Sequence, residues 1–251
     1  IGKKQGAALT SEKLSYCCGW LLAALPLLVL AGSAATDIAI IVIGLGFLVY
    51  SAQTKDWRWT QKTWVRLVGI IYLYIVARSL LSEMPMESLG RSATWIRFPL
   101  FAAAFAYWLH AEPHVQRYLP WTLVTAVSLL VADMAFQYVT GFDIIGRSAI
   151  ISDGGSLRLT GPYVAPRAGI IVAWLAWPAI AFLFAVAKNK KQLFAAGLLW
   201  GACVVIVFLS GERMATLLMV LGSALLVLMV KKTRHALLWL LPAGIITLGV
   251  L

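Results

Sequence analysis

The stretch LFAAGLLWGACVVIVFL (193–209), SGER (210–213) and MATLLMVLGSALLVLMV (214–230) decides the fold. Two uninterrupted apolar runs, each close to the length that crosses a bilayer, are parted by only four polar residues. They read as two membrane helices joined by a tight hairpin. Arg213 stands in that hairpin, where a guanidinium is costly unless it has work to do. Ser210 can cap the helix that follows, and Glu212 suits its first turn, at the positive end of the helix dipole. A cation there opposes the dipole. Arg213 therefore requires a partner, either Glu212 or a bound anion.

Working outward, the rest of the chain has the same character. Hydrophobic residues make up 61% of its 251 residues and charged residues 12%, with a mean hydropathy of +0.87. Soluble domains carry about a quarter charged residues. The composition predicts an all-α, polytopic transmembrane protein with about nine helices: Tyr16–Ala35, Ile38–Ala52, Val65–Ser82, Trp95–His110, Leu119–Val139, Gly169–Ala187, Leu193–Leu209, Met214–Val230 and Ala236 onward. Residues 1–251 read as a single transmembrane domain. The chain begins at Ile1 rather than Met and stops at Leu251 inside an apolar run, which reads as a fragment truncated at its C-terminus. The first apolar run leads into further spans and not to a cleavage site, unlike a signal peptide. Cys17, Cys18 and Cys203 lie in apolar segments without metal or redox spacing and read as packing residues.

The net charge of +11 does not indicate nucleic acid, because the basic residues sit in short loops, where they set topology. One set of alternate loops holds fourteen Lys and Arg: Lys3, Lys4, Lys13, Lys55, Arg58, Lys62, Arg66, Arg117, Lys188, Lys190, Lys191, Lys231, Lys232 and Arg234. The other set holds five: Arg91, Arg147, Arg158, Arg167 and Arg213. The positive-inside rule makes the first set, with the N-terminus, cytoplasmic. Trp57, Trp59, Trp64, Trp95, Trp108 and Trp121 lie near span ends, as an aromatic belt does. Every lysine falls on the inner side, so the outer face carries arginine alone. Arginine's planar fork binds phosphate bidentately, which points to anion recognition outside; ordinary interfacial snorkelling is the alternative.

The longest outer loop, about 140–168, is rich in Gly and Pro and reads as irregular. Arg158 precedes Gly161-Pro162, and Arg167 follows Pro166 at the threshold of a helix, whose free N–H groups favour an anion. An exposed loop with a Pro-led helix start is the simpler reading. Inside the fifth span, Asp133 and Gln137 share a face at i,i+4. An intramembrane carboxylate needs a partner, here expected to be Arg78, Arg97 or an outer arginine. Gly197 and Gly201 form a GxxxG that predicts close helix packing. His110, His114 and His235 are too scattered for a metal site. Phosphate loops, dinucleotide fingerprints and HExxH are absent, and no internal repeat is evident.

The segment from Asp133 to Arg213 resembles the O-antigen ligase and O-antigen polymerase superfamily of bacterial inner-membrane glycosyltransferases. The resemblance rests on Asp133-Met-Ala-Phe-Gln137-Tyr-Val-Thr-Gly141, Arg158-Leu-Thr-Gly161-Pro162 with Pro166-Arg167, and Leu209-Ser-Gly-Glu-Arg213 with Leu217 beyond. It covers about a third of the chain. It implies a GT-C-like, metal- and cofactor-independent transferase in lipopolysaccharide biosynthesis, in the cell inner membrane. Such an enzyme moves a glycan from undecaprenyl diphosphate at the periplasmic face to lipid A–core, or, in a polymerase, to a second lipid-linked glycan. The resemblance gives Arg213, then Arg167, then Arg158 the diphosphate, with Asp133, Gln137, Ser210 and Glu212 as polar support. The family's catalytic histidine, carried on a large periplasmic loop, has no counterpart among these residues, so no catalytic residue is identified here and the base is expected beyond Leu251. A lipid-linked oligosaccharide flippase, or a scaffold whose arginines hold anionic membrane lipids, are the alternatives from other classes.

Overall fold

The structure, a computed structural model, describes residues 2–151 and 157–229. The span expected from Ala236 onward, Lys231, Lys232, Arg234 and His235 lie outside the described residues, as do Gly154 and Gly155 of the long loop. The regular structure of the described residues is helical apart from one short ribbon. In order it comprises α1 (Gly2–Ala31), α2 (Ser33–Thr54), α3 (Thr63–Leu80), α4 (Pro85–Trp95), α5 (Arg97–Tyr107), α6 (Pro113–Thr140), β1 (Ile150–Ile151), β2 (Leu157–Arg158), α7 (Ala168–Val186), α8 (Lys190–Leu209) and α9 (Arg213–Met229). Short 3-10 turns cover Arg58–Gln61 and Leu109–Ala111.

Among the described residues, six helices are long and apolar enough to cross a membrane: α2, α3, α6, α7, α8 and the Ser11–Ala31 part of α1. The chain is thus a helical membrane protein. The expected fourth span, Trp95–His110, takes a different form. Its helix α5 has 11 residues, about 16 Å at 1.5 Å per residue, against a hydrocarbon core of about 30 Å. The preceding residues, which were not expected to be helical, form α4. Pro85 opens α4 at the position where its missing N–H costs nothing.

Local chemistry sets the boundaries. Gly32, at φ +121°, ends α1, in a conformation that an L side chain resists. Asn189 caps α8 by accepting the N–H of Gln192 at 2.9 Å, and the Gln192 side chain accepts the N–H of Lys188 at 2.7 Å, a reciprocal box.

The chain divides into two compact units, and the division falls inside α1 and α6. The first comprises Ile1–Val29 and Ser33–Leu119. Its core joins Cys18 and Leu22 of α1, Ile43 and Phe47 of α2, Ala103 and Ala104 of α5, and Trp108, Leu109 and Val115. Helices α2 and α5 run parallel: Asp37 pairs with Arg97 at 3.2 Å, Gly44 packs on Leu100, and Gly46 lies against Trp108, just past the end of α5. Helix α3 keeps most of its apolar surface uncovered, with Leu67, Ile70, Leu73 and Tyr74 all more than half exposed, as a lipid-facing helix does.

The second unit comprises Leu30–Gly32 and Pro120–Leu251. Val127, Leu130 and Met134 of α6 recur at helical spacing and pack on Ala168, Val172, Ala173, Ala176, Ala179 and Ile180 of α7, with Trp200, Cys203 and Val207 of α8 and Ala215 and Met219 of α9. The small side chains of α7 let neighbouring backbones come close, the usual means of helix association where lipid supplies no hydrophobic drive. Gly197 and Gly201 are both buried in α8, as the GxxxG reading expected, and Cys18 and Cys203 are core residues while Cys17 is exposed. The packing brings the C-terminus of α6, the N-terminus of α7 and the α8–α9 turn to one end of this unit.

Candidate functional site

All seven residues singled out from the sequence belong to this second unit, at the end just described. Gln137 is fully buried in the last turns of α6. Its Oε1 accepts the N–H of Thr160 at 2.9 Å and of Gly161 at 3.0 Å. Its Nε2 donates to Thr160 Oγ1 at 2.9 Å and to the Arg147 carbonyl at 3.3 Å. One side chain therefore holds the long loop at two places ten or more residues away. Asp133, one turn earlier on the same face, accepts the N–H of Ile144 at 2.9 Å. The arginine partner expected for Asp133 is not what the structure shows. Arg97 pairs with Asp37, and Asp133 serves as a loop anchor.

The loop itself begins as a closed turn. Asp143 Oδ1 accepts the N–H of Arg147, and backbone bonds join Asp143 N to Arg147 O at 2.9 Å and Ala149 N to Gly141 O at 3.0 Å. Gly146 sits at φ +89° in the middle. The Arg147 guanidinium donates to the Pro162 carbonyl, tying the start of the loop to its end. Beyond the turn, Ile150 and Ile151 pair antiparallel with Arg158 and Leu157. This ribbon places Arg158 against the α8–α9 turn, where a side chain on Gly211 would lie 3.1 Å from the Leu157 carbonyl and 3.5 Å from Arg158 Cγ. Gly211 also needs φ +73°, so two independent constraints demand glycine there. The Tyr163 hydroxyl, beside Asp133, is pushed up to about 12, chiefly by burial and then by that carboxylate.

Glu212 is the centre of the arrangement. Its Oε1 accepts the N–H of Gly169 at 2.8 Å and its Oε2 the N–H of Ile170 at 3.1 Å. These are the second and third residues of α7, so the carboxylate caps a neighbouring helix. Two expectations are corrected here. The positive end of α7, read as a place for a bound anion, is filled by the protein's own Glu212. Glu212 in turn lends its side chain to α7 and not to the first turn of its own α9. Ser210 is likewise reassigned: it is buried, closes α8 by donating to the Val207 carbonyl at 2.6 Å, and meets the N–H of Glu212 only at 3.4 Å. Burial holds the Glu212 carboxyl above the usual range, against the opposing pull of its two backbone bonds and of Arg158. Gly169 makes the contact possible, since a Cβ there would sit 3.0 Å from Glu212 Oε1 and collide with Ser210.

The three arginines lie on the elements that meet at this carboxylate. Arg213 follows it in sequence at the first position of α9, Arg167 is the N-cap of the helix it caps, and Arg158 acts on it through space. All three are exposed. With Glu212 committed to α7, their guanidinium groups make no hydrogen bond or ion pair with any described residue, so Arg213 is not paired with Glu212. Among the described residues this end carries four arginines, Arg147, Arg158, Arg167 and Arg213, against three carboxylates, Asp133, Asp143 and Glu212. The surplus of positive charge on planar forks, mounted on helix ends and a pinned loop, suits a phosphate or diphosphate.

Sequence reasoning placed Gln137 and Asp133 on one face but did not see that the face clamps the loop. It missed Thr160, Gly169, Gly211 and Arg147 as parts of the scaffold. Ala168-Gly169 after Pro166 was a legible sign of close approach at a helix start, and Asp143 with Gly146 a sign of a closed turn. Among the histidines, His114 stacks on Trp20 at 5.4 Å in the first unit, as a packing residue does. No family model matches the chain, and neither a curated protein nor a solved structure does.

Proposed function

We propose that the arginine cluster around Glu212 binds the diphosphate of a lipid-linked glycan, in a membrane glycosyltransferase that moves the glycan from undecaprenyl diphosphate to lipid A–core. A polymerase using a second lipid-linked glycan as acceptor would employ the same cluster. The observation that carries the reading is that Arg158, Arg167 and Arg213, exposed and without partners among the described residues, lie on the elements joined by the half-buried Glu212. In such a transfer the glycosyl bond to the diphosphate breaks as the acceptor hydroxyl attacks, and negative charge develops on the leaving diphosphate. Guanidinium groups already in place stabilise that charge without reorganising. Nothing in this cluster removes the acceptor's proton, so its role is to hold the donor and stabilise the leaving group. The family resemblance supplies the identity of the lipid carrier, and the surplus of arginine supplies the anion chemistry.

The test is genetic complementation with the full-length gene carrying Arg213→Ala or Arg213→Lys in a deletion strain, read as surface polysaccharide ladders. Loss of ladders in both variants, with membrane insertion retained, is the expected result. Normal ladders from Arg213→Lys would defeat the bidentate-phosphate reading.

A further inference from the structure

The first unit holds a cavity of about 320 Å³ between the ends of α2 and α5 and the turn leading into α3. Phe47, Tyr50, Trp59 and Tyr107 form its apolar walls, and Ser51, Asp56, Arg58 and Lys62 supply its polar groups. The volume falls in the range of small-molecule sites, about 300–1,000 Å³. The site does not involve the residues of the proposed diphosphate cluster.

The hydrogen-bond inventory of the polar groups indicates the sign of a ligand. The one carboxylate, Asp56, is already engaged: Oδ1 accepts the backbone N–H of Arg58 at 3.1 Å and its Nε at 3.0 Å, and Oδ2 accepts Nη2 at 2.8 Å. That pairing holds the Asp56 carboxyl down at about 2, the side-chain hydrogen bonds of Arg58 contributing most, so it stays ionised and tied to its partner. Ser51 Oγ accepts the Trp59 indole N–H at 3.2 Å, and the Tyr107 oxygen accepts that of Trp64 at 2.6 Å. What remains uncommitted among the described residues is a set of donors: the Lys62 ammonium, the hydroxyl protons of Tyr50 and Tyr107, and the outer N–H groups of Arg58. Lys62 is also the residue before the first turn of α3, whose free N–H groups add positive potential. The net charge of the lining is positive, since Arg58 cancels Asp56 and Lys62 is left over.

A second feature indicates what carries the anion. Leu67, Ile70 and Tyr74 recur at helical spacing along α3, beginning little more than a turn beyond Lys62, and are 55%, 64% and 64% exposed. A pocket of donors with aromatic walls thus stands at the head of an uncovered apolar stripe, at a span end marked by Trp57, Trp59 and Trp64. We propose that this cavity binds the phosphodiester headgroup of an anionic phospholipid, with its acyl chains along α3. A soluble phosphate shares the headgroup chemistry but has no use for the stripe.

The experiment is titration of the purified full chain, in neutral detergent, with dihexanoylphosphatidylglycerol and separately with inorganic phosphate, following heat of binding. The expected result is saturable binding of the lipid at least about tenfold tighter than that of inorganic phosphate. Lys62→Ala should weaken lipid binding about tenfold or more, as loss of a charge-assisted bond does, and Lys62→Arg should largely restore it. Lys62→Gln serves as a second neutral variant should the alanine protein be poorly folded. Unchanged lipid affinity in both neutral variants overturns the site. Inorganic phosphate binding as tightly as the lipid, at the same Lys62-dependent site, overturns the lipid as occupant.

Discussion

Replacing Gln137 with Leu removes four hydrogen bonds from one fully buried position while nearly preserving volume. The consequence can be worked from the geometry. The backbone N–H groups of Thr160 and Gly161 lose their acceptor in a buried setting, and each stranded donor costs about 1–3 kcal/mol, so about 2–6 kcal/mol together. The new leucine recovers about 1.5–3 kcal/mol of apolar burial. The net, about 1–3 kcal/mol, falls on the attachment of the loop and not on the helix bundle, because every lost bond joins α6 to residues 147–161. Local opening of the loop should therefore rise by about one to two orders of magnitude. Amide hydrogen exchange on detergent-solubilised protein reads this directly. The Thr160 and Gly161 amides should exchange roughly 10- to 100-fold faster, while the Gly169 amide, held by Glu212, keeps its protection. Gln137→Glu retains an acceptor oxygen in the place of Oε1, which takes both N–H groups, and should preserve most of the protection at Thr160 and Gly161. Unchanged exchange at those two amides in Gln137→Leu would refute the clamp.

Two further outcomes follow from the α7–Glu212 contact. Gly169→Ala should lower thermal stability by about 1–3 kcal/mol through overpacking against Glu212 and Ser210, whereas Gly90→Ala, in exposed α4 with open space around it, should be neutral or slightly stabilising; equal effects in a thermal melt would contradict the close approach. Glu212 has its folded-state pKa raised above the ordinary 4.5, so the folded protein takes up a proton before the unfolded chain does. Its contribution is therefore fully present below pH 4.5 and is lost as pH rises through the folded value. Melting temperature should climb on acidification from neutrality toward pH 4.5 more steeply in the wild type than in Glu212→Gln, and parallel profiles would sink this assignment.

The membrane-helix pattern was legible because the bilayer imposes it: an apolar run near span length admits few other structures. The 193–229 hairpin has the two helices and tight turn that were expected, α8 and α9, of which only α8 is among the six of span length. Where length was marginal the reading failed: Trp95–His110 holds only the short α5 and the turn at Leu109–Ala111, and α4, which precedes it and breaks off at Ile96, was not foreseen. The arginines of the proposed site were picked out by their charge, which stands out against an apolar background. Its wiring was not. The partner of Glu212 lies more than forty residues away at Gly169, and that of Gln137 more than twenty away at Thr160. Such long-range bonds follow from tertiary packing, which local propensity does not encode. The anion expected at the start of α7 was correct as chemistry; its source was Glu212 of the same chain.

The central claim is that Arg213, with Arg158 and Arg167, holds a diphosphate. Binding of undecaprenyl diphosphate to the purified protein, compared among wild type, Arg213→Ala and Arg213→Lys, tests it most directly. The account predicts at least about tenfold weaker binding in the alanine variant, with little recovery in the lysine variant because a point charge cannot replace the bidentate fork. Equal affinity in all three proteins, or full recovery with lysine, would contradict it.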